Sequence, residues 1–242
     1  MRTKIIKVNP DFPEKALIKE AAEVLRNGGL VAFPTETVYG IGVNLLDQRA
    51  IDRLYSIKKR PRSKLFTVHI SRFEALDDLG IVLSERAKTI IHKFWPGPLT
   101  IVAFNKKGEK IGIRMPRNKI ALALISEAAL PIAAPSANIS GGKPPTSGRE
   151  VYSEMKDSID ILLDGGATQI CKESTVLDVT TSPFTVLREG VISKEEIVSD
   201  YNVLFVCTGN SCRSVMAKAT LEKFLKQAGL SKKVYVDSAG TV

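Results

Sequence analysis

The sequence predicts an α/β protein built on a mixed sheet, and three observations predict it. Helical and extended apolar patterns alternate through roughly the first 150 residues. The extended runs are short and apolar, as buried strands are. After residue 158, strand-like runs follow one another with only turns between them, which predicts an antiparallel portion.

The elements follow in order. Between positions 13 and 27, Ala16, Leu17, Ala21, Val24 and Leu25 recur at helical spacing, and Gly28-Gly29 supplies the stop. Residues 30–33 read as a buried strand ending at Pro34, and similar runs recur at 66–70, 99–104 and 131–134. Residues 47–58, 84–94, 117–129 and 147–156 fit helices. The runs 159–163, 174–179 and 185–188 form the expected antiparallel portion, and 193–199 reads as a short closing helix. A fresh strand at 202–206 leads into a different motif, which places a boundary near Asp200 and gives domains 1–200 and 201–242. No internal repeat is present.

Composition narrows the class. The 242 residues, 44% hydrophobic, suffice for one large domain with or without an appendage. No run approaches the roughly 20 apolar residues of a membrane span, and the first ten residues lack the apolar core of a signal peptide. These features predict a soluble, cytoplasmic protein with no membrane partner. Cys171, Cys207 and Cys212 are irregularly spaced and the histidines number two. Reduced thiols are therefore expected, and no metal site is identified. The net charge of +9 is +4 over residues 201–242 and +5 over the rest. It favours anionic partners such as nucleotides, phosphates or RNA.

Standard phosphate loops are missing: Gly40-Ile41-Gly42 lacks the third glycine of a dinucleotide fingerprint, and Gly142-Lys143 is followed by Pro144. Polar groups instead cluster in loops and at strand ends, at 34–37, 58–62, His69, Arg114, 136–138, Ser174-Thr175 and Arg188. Each has a bland reading. Cations at 58–62 also suit a solvated helix end; Thr35, Thr37, Ser136 and Asn138 also suit turns, and His69 a structural site. As a set, loops rich in cations and hydroxyls with few carboxylates suit a triphosphate and a zwitterionic amino acid.

The phrases FPTETVYGIG, KKRP, FWPGPLTIV, IGIRMP, APSANISGGKPPT, DGG, ESTVLD and LREG occur in this order. Over about residues 15–192 the chain resembles the YrdC-type threonylcarbamoyl-AMP synthases. The resemblance implies a twisted mixed sheet around a deep basic groove. It also implies that ATP, L-threonine and bicarbonate become threonylcarbamoyl-AMP and pyrophosphate, and that a separate transferase places the product on tRNA. By the same resemblance Lys58 and Arg60 are catalytic, and ATP is held by Lys58, Arg60, Arg62, Thr100, Ser136, Asn138, Ser174 and Arg188. Threonine is held by Thr35, His69 and Arg114, with Arg114 as the carboxylate clamp, and Mg2+ accompanies ATP. Cys171-Lys172 departs from the family's glycine-containing turn. The competing reading of the same basic groove is an RNA-binding module without catalysis.

Residues 203–207 lead into Thr208-Gly209-Asn210-Ser211-Cys212-Arg213-Ser214, and 215–227 continues as an amphipathic helix. A Cys-x5-Arg loop between strand and helix aims backbone N–H groups at one point, where they lower a thiol pKa and bind a phosphoryl dianion. The stretch resembles the start of a low-molecular-weight protein phosphatase and implies a partial β-α-β appendage. In it Cys207 is the nucleophile, Arg213 the clamp, and Ser214 the hydroxyl that bonds the thiolate. The family's general acid is an aspartate later in a longer domain, and Asp237 is not that residue. The expectation is a vestigial phosphatase loop, with a phosphatase acting through Cys207 as the competing reading.

Overall fold

The first amphipathic pattern forms helix α1 (Lys15–Arg26), which buries Ile18, Ala21, Ala22 and Leu25 at helical spacing. Further helices are α2 (Gln48–Lys58), α3 (Ala75–Asp78), α4 (Glu85–Phe94), α5 (Lys119–Ala128) and α6 (Gly148–Met155). Side chains satisfy the first amides of four of them. Asp47 accepts from Arg49 and Ala50, Ser84 from Ala87, Asn118 from Ala121, and Ser147 from Glu150, each such cap contributing about 1 kcal/mol. The computed structural model describes residues 2–198, 201–231 and 233–241.

The strands are β1 (Lys4–Lys7), β2 (Val31–Phe33), β3 (Gly40–Asn44), β4 (Thr67–His69), β5 (Ile81–Val82), β6 (Leu99–Asn105), β7 (Lys110–Arg114), β8 (Ile132–Ala133), β9 (Ile161–Asp164), β10 (Thr175–Asp178) and β11 (Thr185–Arg188). They form one mixed sheet in the order β1-β9-β2-β3-β8-β4-β7-β6-β10-β11, with β5 paired to β6. Both faces are covered. α1 and α5 pack with Val31, Phe33 and Leu163 on one side, while α2 and α6 pack with Leu30, Ala32 and Leu162 on the other. Neighbouring residues of β2 therefore point into different cores, which is why that strand reads as an unbroken apolar run.

Two readings change. The segment after residue 158 is antiparallel only between β10 and β11. β9 runs parallel to β1 and β2, and β10 parallel to β6, because parallel neighbours are reached by crossing the sheet and not by turning back. In addition, β3 and β7 are strands where no strand was expected. In β3, Gly42 lies against Phe33, and a Cβ there would stand 2.9 Å from the Phe33 ring and 3.0 Å from Ile132. This glycine of the Gly40-Ile41-Gly42 run is a strand residue kept small by packing.

The chain divides into two compact units, Met1–Val191 and Ile192–Val242. The boundary expected near Asp200 lies outside the described residues, and the division falls ahead of helix α7 (Lys194–Val198). The second unit holds α7, strand β12 (Tyr201–Cys207), helix α8 (Arg213–Gln227) and strand β13 (Val234–Gly240), the two strands pairing in parallel. Among the described residues no helix is long and apolar enough to cross a membrane.

Candidate active site

The segment joining β2 to β3 is a tight turn made by Thr35. Its hydroxyl donates to the Val38 carbonyl at 2.6 Å and accepts from the amides of Thr37 and Val38, both at 3.2 Å. The turn drives Glu36 inward, where it is 1% exposed. Its Oε1 meets Arg114 Nη2 at 2.8 Å, and its Oε2 accepts from the Arg117 amide at 3.0 Å. Arg114 Nη2 also donates to Thr37 Oγ1 at 2.8 Å and its Nε to the Gly97 carbonyl at 3.3 Å.

Arg114 ends β7 and His69 ends β4, and the parallel register pairs them directly. His69 is buried, its Nδ1 lies 3.4 Å from the Thr67 carbonyl, and its ring meets Phe33 edge-on. Burial, and then the neighbouring Arg114 charge, push the imidazole down to about 3. His69 is therefore a neutral group at physiological pH and cannot hold a proton there.

A second group of polar residues gathers around the start of β10. Thr100 Oγ1 and Ser174 Oγ share a hydrogen bond of 3.0 Å. Arg188, closing β11, donates from Nε and Nη2 to the Ser174 carbonyl at 3.2 and 2.9 Å, and its Nη1 is ion-paired to Glu173. Arg60 lies just beyond α2. It donates to the carbonyls of Lys64 and Leu65 at 2.9 and 3.1 Å and sits over the Phe66 ring. Burial, and the nearby charge of Arg188, push the Arg60 guanidinium down.

Both groups open onto one cleft of ≈ 620 Å³, its mouth included. Thr35, His69 and Arg114, expected around threonine, line it, and so do Arg60, Thr100, Ser136, Ser174 and Arg188, expected around ATP. Three arginines thus face a wall whose only carboxylate, among the described residues, is Glu173. Among the described residues no group of three or more His, Cys, Asp and Glu side chains is placed to hold a metal.

Three expected ATP residues are not on this wall. Lys58, expected to be catalytic, is 1% exposed, and its Nζ donates to the carbonyls of Ser136, at 2.6 Å, and Asn138. Burial, and then Arg60, push its ammonium down to about 8. Asn138 spends its amide on the carbonyls of Ile139 and Gly142, both at 2.8 Å, and its Oδ1 accepts from Ser136 at 2.6 Å. These two side chains build the loop that carries Ser136, so their place in this structure is structural. Arg62 is exposed, ion-paired to Asp52 at 2.7 Å and lying over Tyr55. The expected forked clamp at Arg114 is also narrowed, since Nε and Nη2 are already engaged within the protein.

Sequence reasoning passed over Glu36 and Glu173. No local signal marks them, because the partners that fix them, Arg114 and Arg188, stand 78 and 15 positions away in the sequence.

In the second unit Cys207 ends β12, and its Sγ lies 3.0 Å from Ser214 Oγ. The Ser214 hydroxyl donates to Asn210 Oδ1 at 2.8 Å. The Ser214 hydroxyl, then the backbone N–H groups of Ser214, Asn210 and Gly209, lower the Cys207 thiol to about 7. Ser214 thus lies beside the thiol, while Arg213, the first residue of α8, has an exposed side chain.

The Sua5/YciO/YrdC family model, described as telomere recombination, matches residues 23–190, and that of low molecular weight phosphotyrosine protein phosphatase matches residues 202–242. A threonylcarbamoyl-AMP synthase of Pyrococcus abyssi is 44% identical over 193 residues, covering 76% of this chain and 57% of that protein. One from Bacillus subtilis is 42% identical over 204 residues, covering 80% and 59%. The chain thus spans less than two thirds of the length of either relative. The crystal structure of P. abyssi Sua5 complexed with L-threonine superposes with a TM-score of 0.77, at 30% identity over 98% of this chain and 92% of that one.

Proposed function

The chain belongs to the Sua5/YciO/YrdC family, and on that premise we propose that it is an L-threonylcarbamoyladenylate synthase, a nucleotidyltransferase. It takes ATP, L-threonine and bicarbonate to threonylcarbamoyl-AMP and pyrophosphate. What carries the reading is the single cleft, in which His69 and Arg114 share a wall with Arg60, Ser174 and Arg188. The relatives named threonylcarbamoyl-AMP synthase and the threonine-bound Sua5 support it.

The threonine amine attacks bicarbonate carbon and water leaves, giving a carbamate. A carbamate oxygen then attacks the α-phosphorus of ATP, and the bond to pyrophosphate breaks. The nucleophile belongs to the substrate, so the protein's share is positioning and charge stabilisation. Arg60 and Arg188 face phosphate oxygens, and loss of one such donor costs about 10²- to 10³-fold in rate. Arg114 meets the threonine carboxylate through the nitrogen its internal bonds leave over, and neutral His69 orients the amino acid without acting as base. Magnesium enters with the nucleotide as MgATP, its ligands supplied mainly by the phosphates.

The product is a mixed anhydride, and a separate transferase consumes it by acylating an amine on tRNA. These steps are cytoplasmic. The test is pyrophosphate release by the full chain, which is expected only when threonine, bicarbonate and MgATP are all present. Release that ignores threonine overturns the reading.

A further inference from the structure

Every nitrogen of Arg188 is engaged: Nε and Nη2 by the Ser174 carbonyl, Nη1 by Glu173. One Nη1 proton remains beside the Glu173 contact, so a phosphate that holds this guanidinium through two donors must also take the proton given to Glu173 or one given to the Ser174 carbonyl. The Ser174 carbonyl cannot yield, because the backbone of 173–175 is pinned. The Val191 amide donates to the Glu173 carbonyl at 3.1 Å and the Gly190 amide to Thr175 Oγ1 at 2.9 Å. A Cβ on Gly190 would fall 2.2 Å from the Glu173 carbonyl oxygen and 2.5 Å from the Ser174 carbonyl carbon, so the two segments lie in direct backbone contact. The Glu173 side chain is not pinned. It is 35% exposed against 43% for Arg188 and lines the cleft, with solvent available to its carboxylate if it leaves the arginine.

Glu173 places one carboxylate oxygen, Oε1, on Nη1, and a phosphate oxygen accepts from the same N–H in the same way. We propose that Glu173 occupies the phosphate place on Arg188 in the empty cleft and is the group the incoming nucleotide displaces, so that it sets the affinity for ATP. The inference rests on the synthase reading and adds to it a residue that works against nucleotide binding. A half-exposed ion pair of this kind contributes roughly 2- to 5-fold to an equilibrium. Its carboxylate also repels a phosphate chain, an effect that salt weakens.

The test is titration calorimetry of the full chain with MgATP and, separately, with L-threonine. Glu173→Gln and Glu173→Ala are each expected to tighten ATP roughly 2- to 5-fold, less so at high salt, with the threonine affinity unchanged. Adding Arg188→Ala is expected to weaken ATP binding and to erase the gain from Glu173→Gln. Unchanged or weakened ATP binding in both Glu173 variants overturns the inference, as does an equal shift in threonine affinity. The two levels separate in the wild-type protein. If it binds MgATP and releases threonine-dependent pyrophosphate while Glu173→Gln gives no gain, only the role of Glu173 fails; if it does neither, the synthase reading fails and this inference with it.

Discussion

Lys58 and Asn138, 80 positions apart, are bonded to each other: the ammonium at the end of α2 donates to the Asn138 carbonyl, and to that of Ser136 as well. The two signature positions expected to grip the nucleotide grip one another, and what they present to the cleft is Ser136. Lys58→Met keeps the length and apolar body of the side chain but leaves two carbonyls without their donor. Stability is expected to fall by about 1–3 kcal/mol in urea denaturation, and ATP affinity to fall more than threonine affinity. Unchanged stability would show that the ammonium serves the cleft and not the loop.

Glu36 and Arg114 form a buried pair, 1% and 6% exposed. Glu36→Ala leaves the arginine charge without its counter-ion, at a cost of about 3–5 kcal/mol. The double variant Glu36→Leu with Arg114→Met is expected to recover much of that stability, because two apolar groups need no partner, while threonine-dependent pyrophosphate release stays lost. Denaturation midpoints of the two single variants and the double one check this, and purely additive losses would refute it.

His69 has a pH signature. Its folded-state value of about 3 lies below the ordinary 6.5, so between those limits the unfolded chain takes up a proton that the folded one refuses. Stability therefore rises with pH across that window and falls on acidification, by at most about 1.4 kcal/mol per unit. His69→Asn is expected to flatten the wild-type slope between pH 4 and 6 in denaturant titrations, and parallel slopes would contradict it. Activity above pH 6 should show no titration from this residue.

Cys207 is expected to be the chain's most reactive thiol near neutrality. With its value at about 7 against an ordinary 9.0, its alkylation rate should rise with a midpoint near pH 7. Ser214→Ala should move that midpoint upward, because the hydroxyl is the largest single cause of the lowering. Peptide-resolved mass spectrometry after brief iodoacetamide treatment separates Cys207 from Cys171 and Cys212, and an unmoved midpoint in the variant would exclude Ser214 as the cause.

Helices α1, α2, α4, α5 and α6 were legible because their apolar spacing is long and regular, while the four-residue α3 is too short to show a period. β3 and β7 were not, since GIGVN and KIGIR each carry a glycine, and its packing role depends on a partner elsewhere in the chain. The site divided in the same way. The resemblance gathered eight residues that do line one cleft, but sequence cannot tell whether a cation faces a cavity or a pair of carbonyls. Lys58 and Asn138 show it: expected at ATP, both spend their side-chain donors on loop carbonyls in this structure. It also hid Glu36, whose importance exists only once Arg114 is folded against it.

The order β4-β7-β6-β10-β11 puts His69 and Arg114, expected around threonine, on one pair of strands and Thr100, Ser174 and Arg188, expected around ATP, on or beside the next three. Adjacent strands are spaced at about 4.8 Å, so the sheet is a ruler laid between the two proposed subsites, graduated in whole strands. Point substitutions can change how tightly either subsite holds its ligand. They do not change the strand spacing, which leaves the reach between the proposed subsites as a property of topology.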